Sequence, residues 1–188
     1  MTNDNTNNNS YMVADEFIEE TDESTKNNNP GVIRRLLTIM LFIAIPICVG
    51  LIASALTSDA MVAFNSMIKP PLAPPAMLFP IAWTILYVLM GLASYIIYKS
   101  NTKFEVMRFA AMFLYGTQLF FNFIWSIIFF RESNYMGAFV WLICLWGLVL
   151  LMLLSYRKIS KTAFYLTIPY ILWLTFAGYL NISIALMN

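Results

Sequence analysis

Apolar residues occur along this chain in long uninterrupted blocks, with polar and charged residues collected between them. The uncharged blocks cover residues 36–58, 70–98, 109–130, 133–156 and 162–188. Each block reaches the roughly 20 residues that an α-helix needs to cross a hydrocarbon core of about 30 Å. The pattern predicts an all-α integral membrane protein, a bundle of five transmembrane helices spanning about 34–57, 79–99, 106–130, 134–156 and 161–186.

The first 30 residues have a different composition. They are rich in asparagine, acidic between residues 15 and 23, and poor in side chains that build a core. Such a composition is typical of disorder. We therefore predict a disordered acidic tail over 1–30 and a single membrane domain over 31–188.

The distribution of charge predicts the orientation of the helices. Only 11% of the residues are charged and 60% are hydrophobic. With five spans, one side of the membrane collects most of the basic residues: Lys26, Arg34, Arg35, Lys99, Lys103, Arg108, Arg157, Lys158 and Lys161. The other side holds Lys69 and Arg131. The positive-inside rule then predicts a cytoplasmic N-terminus in a bacterial cell membrane.

A secretory signal is the alternative reading of the first apolar block. Arg34 and Arg35, the run after them and the triplet 53–55 resemble such a signal with a small-residue cleavage site. The run is longer than a usual signal core, and a tail of 33 residues precedes it. We therefore interpret it as the first transmembrane helix.

Several kinds of chemistry lack the residues that they require. The chain has no histidine, and the five uncharged blocks given above contain no Asp, Glu, Lys or Arg. Cys48 and Cys144 lie in apolar runs and indicate neither a disulfide nor a metal framework. These absences argue against ion pumps, intramembrane proteases and histidine-ligated haem. We expect no metal, no cofactor and no nucleic-acid partner.

Aromatic and neutral polar residues recur at steps of three and four within three of the spans, which places each set on one helical face. The sets are Pro80, Trp83, Thr84, Tyr87, Gly91, Ser94 and Tyr95; Tyr115, Gln118, Asn122, Trp125 and Ser126; and Pro169, Tyr170, Trp173, Ala177, Leu180, Asn181 and Ile184. A carboxamide facing lipid would leave its hydrogen-bonding groups unpaired, so these faces should look inward. Trp173 followed one turn later by the small Ala177 can leave room for a flat ligand.

Ordinary structural roles explain some of the same residues. Trp83 and other rings near the span ends suit an interfacial aromatic belt. Gln118, Asn122 and Asn181 suit hydrogen bonds between helices. The proline-rich segment 69–75, between the first two spans, is either a passive connection or a stiff lid over a pocket.

Four blocks of the chain resemble the TspO/MBR family, whose members are also called translocator protein, peripheral-type benzodiazepine receptor and tryptophan-rich sensory protein. The blocks are KPPLAPP (69–75), WTILYVLMG (83–91), QLFFNFIWS (118–126) and PYILWLTFA (169–177) followed by Leu180 and Asn181. They occur in the family's order over roughly residues 34–188.

The resemblance implies a five-helix bundle, commonly a homodimer, with a pocket under the loop after the first helix. It implies binding of porphyrins such as protoporphyrin IX and haem, and of other flat hydrophobic molecules. The ligand-binding set implied in this way is Pro74, Pro75, Trp83, Tyr87, Asn122, Trp125, Trp141, Trp173 and Ala177. Lys69 is the cation nearest in sequence to the predicted mouth of the pocket, where propionates would lie.

Two positions depart from the family pattern. Leu72 stands where the loop usually has tryptophan, which removes a ring from the predicted lid. After Leu180 the last helix offers no tyrosine followed by Arg or Lys, so tight cholesterol binding is not expected there.

Three functional hypotheses follow. The first is a membrane receptor or carrier for porphyrins. The second is a light-dependent porphyrin-degrading enzyme in which Trp83 and Trp173 are the catalytic, redox-active indoles. The third is a stress-sensing or interaction protein that contacts partners through its acidic tail.

Overall fold

Five long helices make up nearly all of the described chain. The computed structural model describes residues 30–58, 67–68, 70–75, 77–101 and 105–188. The helices are α1 (Pro30–Leu56), α2 (Leu78–Lys99), α3 (Glu105–Ser126), α4 (Tyr135–Ile159) and α5 (Lys161–Met187). Each is long and apolar enough to cross a membrane. The prediction of an all-α protein with five transmembrane helices is confirmed. The predicted disordered tail covers residues 1–30; residues 1–29 lie outside the described residues, and Pro30 begins α1.

The described chain separates into two compact units, one ending at Thr38 and the other covering Ile39–Asn188. In the first unit, residues 30–38 begin α1, and the Thr38 hydroxyl donates to the Arg34 carbonyl one turn earlier at 2.8 Å. The second unit contains the remainder of α1 and the other four helices. It holds every residue discussed below.

Within the second unit, α1 approaches α2 closely at Gly91. A Cβ added to Gly91 would lie 2.6 Å from the Phe42 carbonyl oxygen and 2.7 Å from the Cα of Ile43. Both atoms belong to the α1 backbone, which cannot move aside as a side chain can. Tyr115 of α3 adds a hydrogen bond from its hydroxyl to the same Phe42 carbonyl at 3.3 Å. Glycine is therefore required where the two helices meet.

The buried core lies among α2, α3, α4 and α5. Ala93, Ala111 and Ala163 are fully buried, and their small side chains allow the helices to approach closely. Tyr156 is also fully buried, and its hydroxyl is 2.8 Å from that of Ser94. Because both residues are fully buried, pairing the two hydroxyls satisfies groups that would otherwise be costly in an apolar core.

Helix α3 does not end in regular α geometry. Residues Ile127–Arg131 form a π-helical segment in which the Glu132 amide donates to the Ile127 carbonyl at 3.1 Å. The wider turn brings Phe129 and Phe130 to the same cavity as Trp125 and Ser126. After this segment, the Asn134 side chain caps α4 by accepting from the Gly137 amide at 2.9 Å.

Candidate ligand cavity

An apolar cavity of about 290 Å³ lies at the end of the bundle where α1 ends and α2 begins. Four helices, the π-helical segment and one loop residue contribute to its wall. The lining consists of Ile47, Gly50, Leu51, Ala53, Ser54, Thr57, Ala73, Phe79, Pro80, Trp83, Thr84, Tyr87, Trp125, Ser126, Phe129, Phe130, Trp173, Ala177, Leu180, Asn181 and Ile184. Its volume is close to the lower end of the range of roughly 300–1,000 Å³ found for small-molecule sites.

Trp83 is the centre of the aromatic wall. Its ring centroid lies 5.6 Å from that of Tyr87, 6.3 Å from Trp125 and 6.5 Å from Trp173. The buried ring of Tyr170 approaches it edge-on at 6.4 Å. The helical spacing of Trp83 and Tyr87 puts them on one face of α2, as the sequence pattern indicated. The wall therefore presents several ring faces and edges to one enclosed space.

Trp125 is held in place by Asn181 of α5. Its indole N–H donates to the Asn181 side-chain oxygen at 3.1 Å, and the Asn181 amide donates to the Tyr135 carbonyl at 2.7 Å. Asn181 is 1% exposed although it borders the cavity. These two bonds link α3, α5 and the start of α4, so they fix one wall of the cavity.

A second buried network lies behind the aromatic wall. The Tyr170 hydroxyl donates to the Gln118 side-chain oxygen at 2.8 Å and accepts from the Asn122 amide at 3.1 Å. The Gln118 amide approaches the Met90 sulfur at 3.6 Å. All four side chains are at most 2% exposed. The network joins α2, α3 and α5 and supports the edge-on contact of Tyr170 with Trp83.

The hydroxyl groups that border the cavity mostly donate within their own helices. Thr57 donates to the Ala53 carbonyl at 2.8 Å, Thr84 to the Pro80 carbonyl at 2.8 Å and Ser126 to the Asn122 carbonyl at 3.3 Å. They therefore offer lone pairs to the cavity. Within the described ranges, the lining includes no Asp, Glu, Lys, Arg or Cys.

Three hydrogen-bond donors of the aromatic wall have no acceptor among the described residues. The indole N–H groups of Trp83 and Trp173 and the hydroxyl of Tyr87 make no hydrogen bond to the residues that the structure describes. By contrast, the indole N–H groups of Trp125, Trp141 and Trp146 all donate, over 2.9 to 3.1 Å. The described wall therefore directs three hydrogen-bond donors and no charge at the cavity. In the described part of the chain, no group of side chains has the composition to hold a metal ion.

The proline-rich loop forms a turn beside the cavity. The Ala73 amide donates to the Pro70 carbonyl at 2.9 Å, and Pro71 provides the fixed φ that the second position of such a turn favours. Ala73 is the residue of this loop that lines the cavity, and Pro74 and Pro75 follow it towards α2. Lys69, which we predicted near the mouth, lies outside the described residues.

The structure brings together five members of the predicted ligand-binding set, namely Trp83, Tyr87, Trp125, Trp173 and Ala177. The other four stand apart from the lining. Asn122 belongs to the network behind the wall, and Trp141 stacks on Phe121 and donates to its carbonyl. Pro74 and Pro75 directly follow Ala73, the loop residue that lines the cavity.

Several lining residues were not predicted. Gly50 and Ala53 belong to α1 and Thr57 directly follows it, and this run is so uniformly apolar that no inward face can be recognised from its pattern. Phe129 and Phe130 enter through the π-helical segment, whose changed register is not visible in a helical repeat. A phenylalanine pair directly after the Trp125 repeat was the signal that could have pointed to them.

The fold and the cavity define a class of protein: a multi-pass α-helical membrane protein with an uncharged aromatic chamber at one end of the bundle. Residues 42–187 match the TspO/MBR family, and the chain belongs to that family. It is 33% identical over 156 residues to the tryptophan-rich protein TspO of Chlorobaculum tepidum, covering 82% of this chain and 98% of that protein.

Similarity extends to archaeal and animal proteins. The chain is 34% identical over 154 residues to the tryptophan-rich protein TspO of Archaeoglobus fulgidus, with 81% of this chain and 98% of that protein covered. It is 35% identical over 118 residues to the translocator protein of Ovis aries, with 63% and 70% covered. The resemblance inferred from the four sequence blocks is therefore confirmed.

Proposed function

We propose that this protein is a membrane receptor or carrier for porphyrins, such as protoporphyrin IX and haem, and for related flat hydrophobic molecules. The observation that carries the proposal is the grouping of Trp83, Tyr87, Trp125 and Trp173 around one uncharged cavity. A porphyrin offers a broad, flat π-face that suits stacking and edge contacts with these rings.

Aromatic contacts matter more for such a ligand than simple removal from water. A hydrophobic ligand already dissolves in the bilayer, so burying its apolar surface in the protein adds little free energy. Selective binding must then come from close packing, ring contacts and hydrogen bonds that lipid tails cannot provide. Trp83 contacts rings on three helices and is therefore the best-placed residue to provide them.

The propionates of a porphyrin need a charged or wet environment, because the cavity wall offers no cation. We propose that one edge of the ring enters among the tryptophans and that the propionates remain at the mouth. Arg131 is the last residue of the π-helical segment and is exposed. It directly follows Phe130, which lines the cavity, so it is one candidate partner for the propionates. Lys69 remains the predicted second cation.

A dark titration of the detergent-purified protein with protoporphyrin IX tests the proposal. Ala177 is 7% exposed and lines the cavity, so Ala177→Phe should fill part of the space and weaken saturable binding at least tenfold. Val140→Phe is the matched control, since Val140 is 58% exposed on another helix. Absence of saturable binding by the wild-type protein would refute porphyrin binding, and equal binding by both variants would refute this cavity as the site.

One observation favours a second function, light-dependent porphyrin degradation. The rings of Trp83 and Trp173 lie 6.5 Å apart, with Trp125 6.3 Å from Trp83, so an indole can donate an electron to a photoexcited porphyrin bound among them. Dioxygen would be the final oxidant. Illumination of the complex in air should then bleach bound porphyrin faster with wild type than with Trp83→Phe/Trp173→Phe at equal ligand occupancy. Equal rates would exclude the enzymatic role and leave the receptor.

A homodimer is also part of the proposal, and α3 offers the surface for it. Val106, Phe109, Phe113 and Phe120 are 57–83% exposed on this helix, and a Cβ added at Gly116 among them meets nothing within 4 Å. Gly116→Trp should shift the reconstituted protein towards monomer in native mass measurements. Gly147→Trp on α4, where a Cβ is equally unobstructed, is the control that should leave the mass unchanged.

A further inference from the structure

A second apolar groove lies on the lipid-facing side of the seam between α2 and α5. It is lined by Ala82, Ile85, Leu86, Pro169, Leu172, Trp173 and Phe176. Ile85 and Leu172 are 55% and 63% exposed, and both belong to uncharged membrane-spanning segments. In a bilayer this groove is therefore open to the hydrocarbon phase and to hydrophobic molecules dissolved in it.

Trp173 borders both the groove and the interior cavity. On the cavity side its ring lies 6.2 Å from Phe79 and 6.5 Å from Trp83, and on the groove side 5.7 Å from Phe176. The two spaces thus share this indole as a common wall. The position of this one side chain therefore affects how far the two spaces are separated.

The environment of Trp173 suits a side chain that moves. Its N–H makes no hydrogen bond to the described residues, whereas Trp125 is anchored by Asn181 at 3.1 Å and Trp146 by Thr175 at 2.9 Å. The small Ala177 follows one turn later on the cavity side. Pro169, one turn earlier, lacks the N–H that would otherwise bond to the helix backbone, so α5 is less constrained here.

We infer that Trp173 is a lateral gate, through which flat hydrophobic ligands pass between the bilayer and the cavity along the α2–α5 groove. This inference rests on the proposed function, since it concerns access to the same cavity. It assigns a route that does not require the loop at 67–77 to open. A ligand that has partitioned into the membrane then reaches the tryptophans without returning to water.

The test measures rates and affinity separately, using protoporphyrin IX and the full-length protein in lipid nanodiscs. Ile85→Phe/Leu172→Phe enlarges two groove side chains that do not line the cavity. Because a narrowed passage raises the barrier in both directions, association and dissociation should each slow about fivefold while Kd changes less than twofold. Ile85→Ala/Leu172→Ala should accelerate both rates. Porphyrin fluorescence is the signal, so that tryptophan content does not matter.

Val140→Phe/Ile143→Phe is the matched control, since both residues are more than half exposed on α4 and line neither space. Its rates should equal those of wild type. If the groove variants bind with wild-type rates, or slow no more than the control, the gate is refuted although the proposed function stands. A change in Kd that parallels the change in rate would also overturn it. Lack of porphyrin binding by wild type would instead refute the proposed function, and the gate with it.

Discussion

The two ends of the bundle use aromatic side chains in opposite ways. At the packed end, around Tyr156, the ring is fully buried and its hydroxyl pairs with Ser94. At the cavity end, Trp83 and Trp173 line open space and their N–H groups bond to none of the described residues. The packed end therefore buries and pairs its aromatic side chains, whereas the cavity end leaves ring faces and donors directed at the cavity.

Alanine and glycine positions account for much of this difference. At the packed end Ala93, Ala111 and Ala163 are fully buried, so the helices close around the large side chains. At the cavity end Ala53 and Ala177 border the open volume instead. The buried alanines thus allow close helix packing at the packed end, whereas Ala53 and Ala177 leave space beside the aromatic wall.

The largest expected effect tests the packed end. Tyr156→Ala should reduce the free energy of unfolding by about 3–5 kcal/mol, because it leaves a cavity where a fully buried ring was. Reversible denaturation in detergent measures this loss. Tyr156→Phe keeps the ring and should cost only about 1 kcal/mol through the lost Ser94 contact. Equal losses for the two variants would show that packing is not what the ring contributes.

Trp83→Ala tests the cavity end in the way that Tyr156→Ala tests the packed end. Trp83→Ala should weaken protoporphyrin binding about tenfold or more, since each aromatic contact contributes roughly 1 kcal/mol beyond its buried area. Its effect on unfolding should be smaller than that of Tyr156→Ala. The control is Trp146→Ala, whose indole bonds to Thr175 away from the cavity and should leave binding unchanged. If both tryptophan variants lose binding equally, the two ends are not functionally distinct.

Asn181 combines features of both ends, since it is buried and hydrogen-bonded and also borders the cavity. Asn181→Leu removes the acceptor of the Trp125 N–H and the donor to the Tyr135 carbonyl. We expect a loss of about 1 kcal/mol in stability, typical of hydrogen bonds between membrane helices, and a few-fold weaker ligand binding as Trp125 loses its anchor. Unfolding and titration of the same preparation measure both. Unchanged affinity would mean that packing alone holds Trp125.

The smallest expected effect concerns the loop. Leu72 is 67% exposed, and the resemblance described in the sequence analysis predicts a tryptophan at this position of the loop. Leu72→Trp should strengthen porphyrin binding about threefold by adding a ring at the mouth, with no change in unfolding. Leu72→Ala is the control and should bind as wild type does. If Leu72→Trp changes neither the affinity nor the dissociation rate, the ligand does not contact this part of the loop.

The fold was predictable from the sequence because run length alone decides whether a helix spans a bilayer. The gathering of Trp83, Tyr87, Trp125 and Trp173 was predictable in part, since three- and four-residue spacing identifies a helical face. Spacing does not identify depth along that face or what the side chain contacts. Asn122 shares the face of Trp125, and only the partner on α5, Tyr170, shows that it lies behind the wall.

The contribution of α1 could not be predicted from its pattern. All faces of α1 are apolar, so the sequence pattern does not distinguish Gly50 and Ala53 from neighbours that face lipid. A Cβ on Gly50 would collide with the Tyr87 ring, a restriction that exists only between helices. The periodicity of a single helix cannot identify residues whose size is restricted by contacts with a neighbouring helix.

The described cavity wall carries no charged side chain, so we expect any pH response of binding to come from the ligand and from groups at the mouth. Tyr87 is the residue with an ionisable proton in the described lining, and a tyrosine phenol remains protonated around neutral pH. Between about pH 6 and 8, a change in affinity would therefore report the ionisation of the bound molecule and of groups at the mouth. Comparing an acidic ligand with its neutral ester would separate these two sources, so the binding profile can serve as a chemical signature of an unidentified natural ligand.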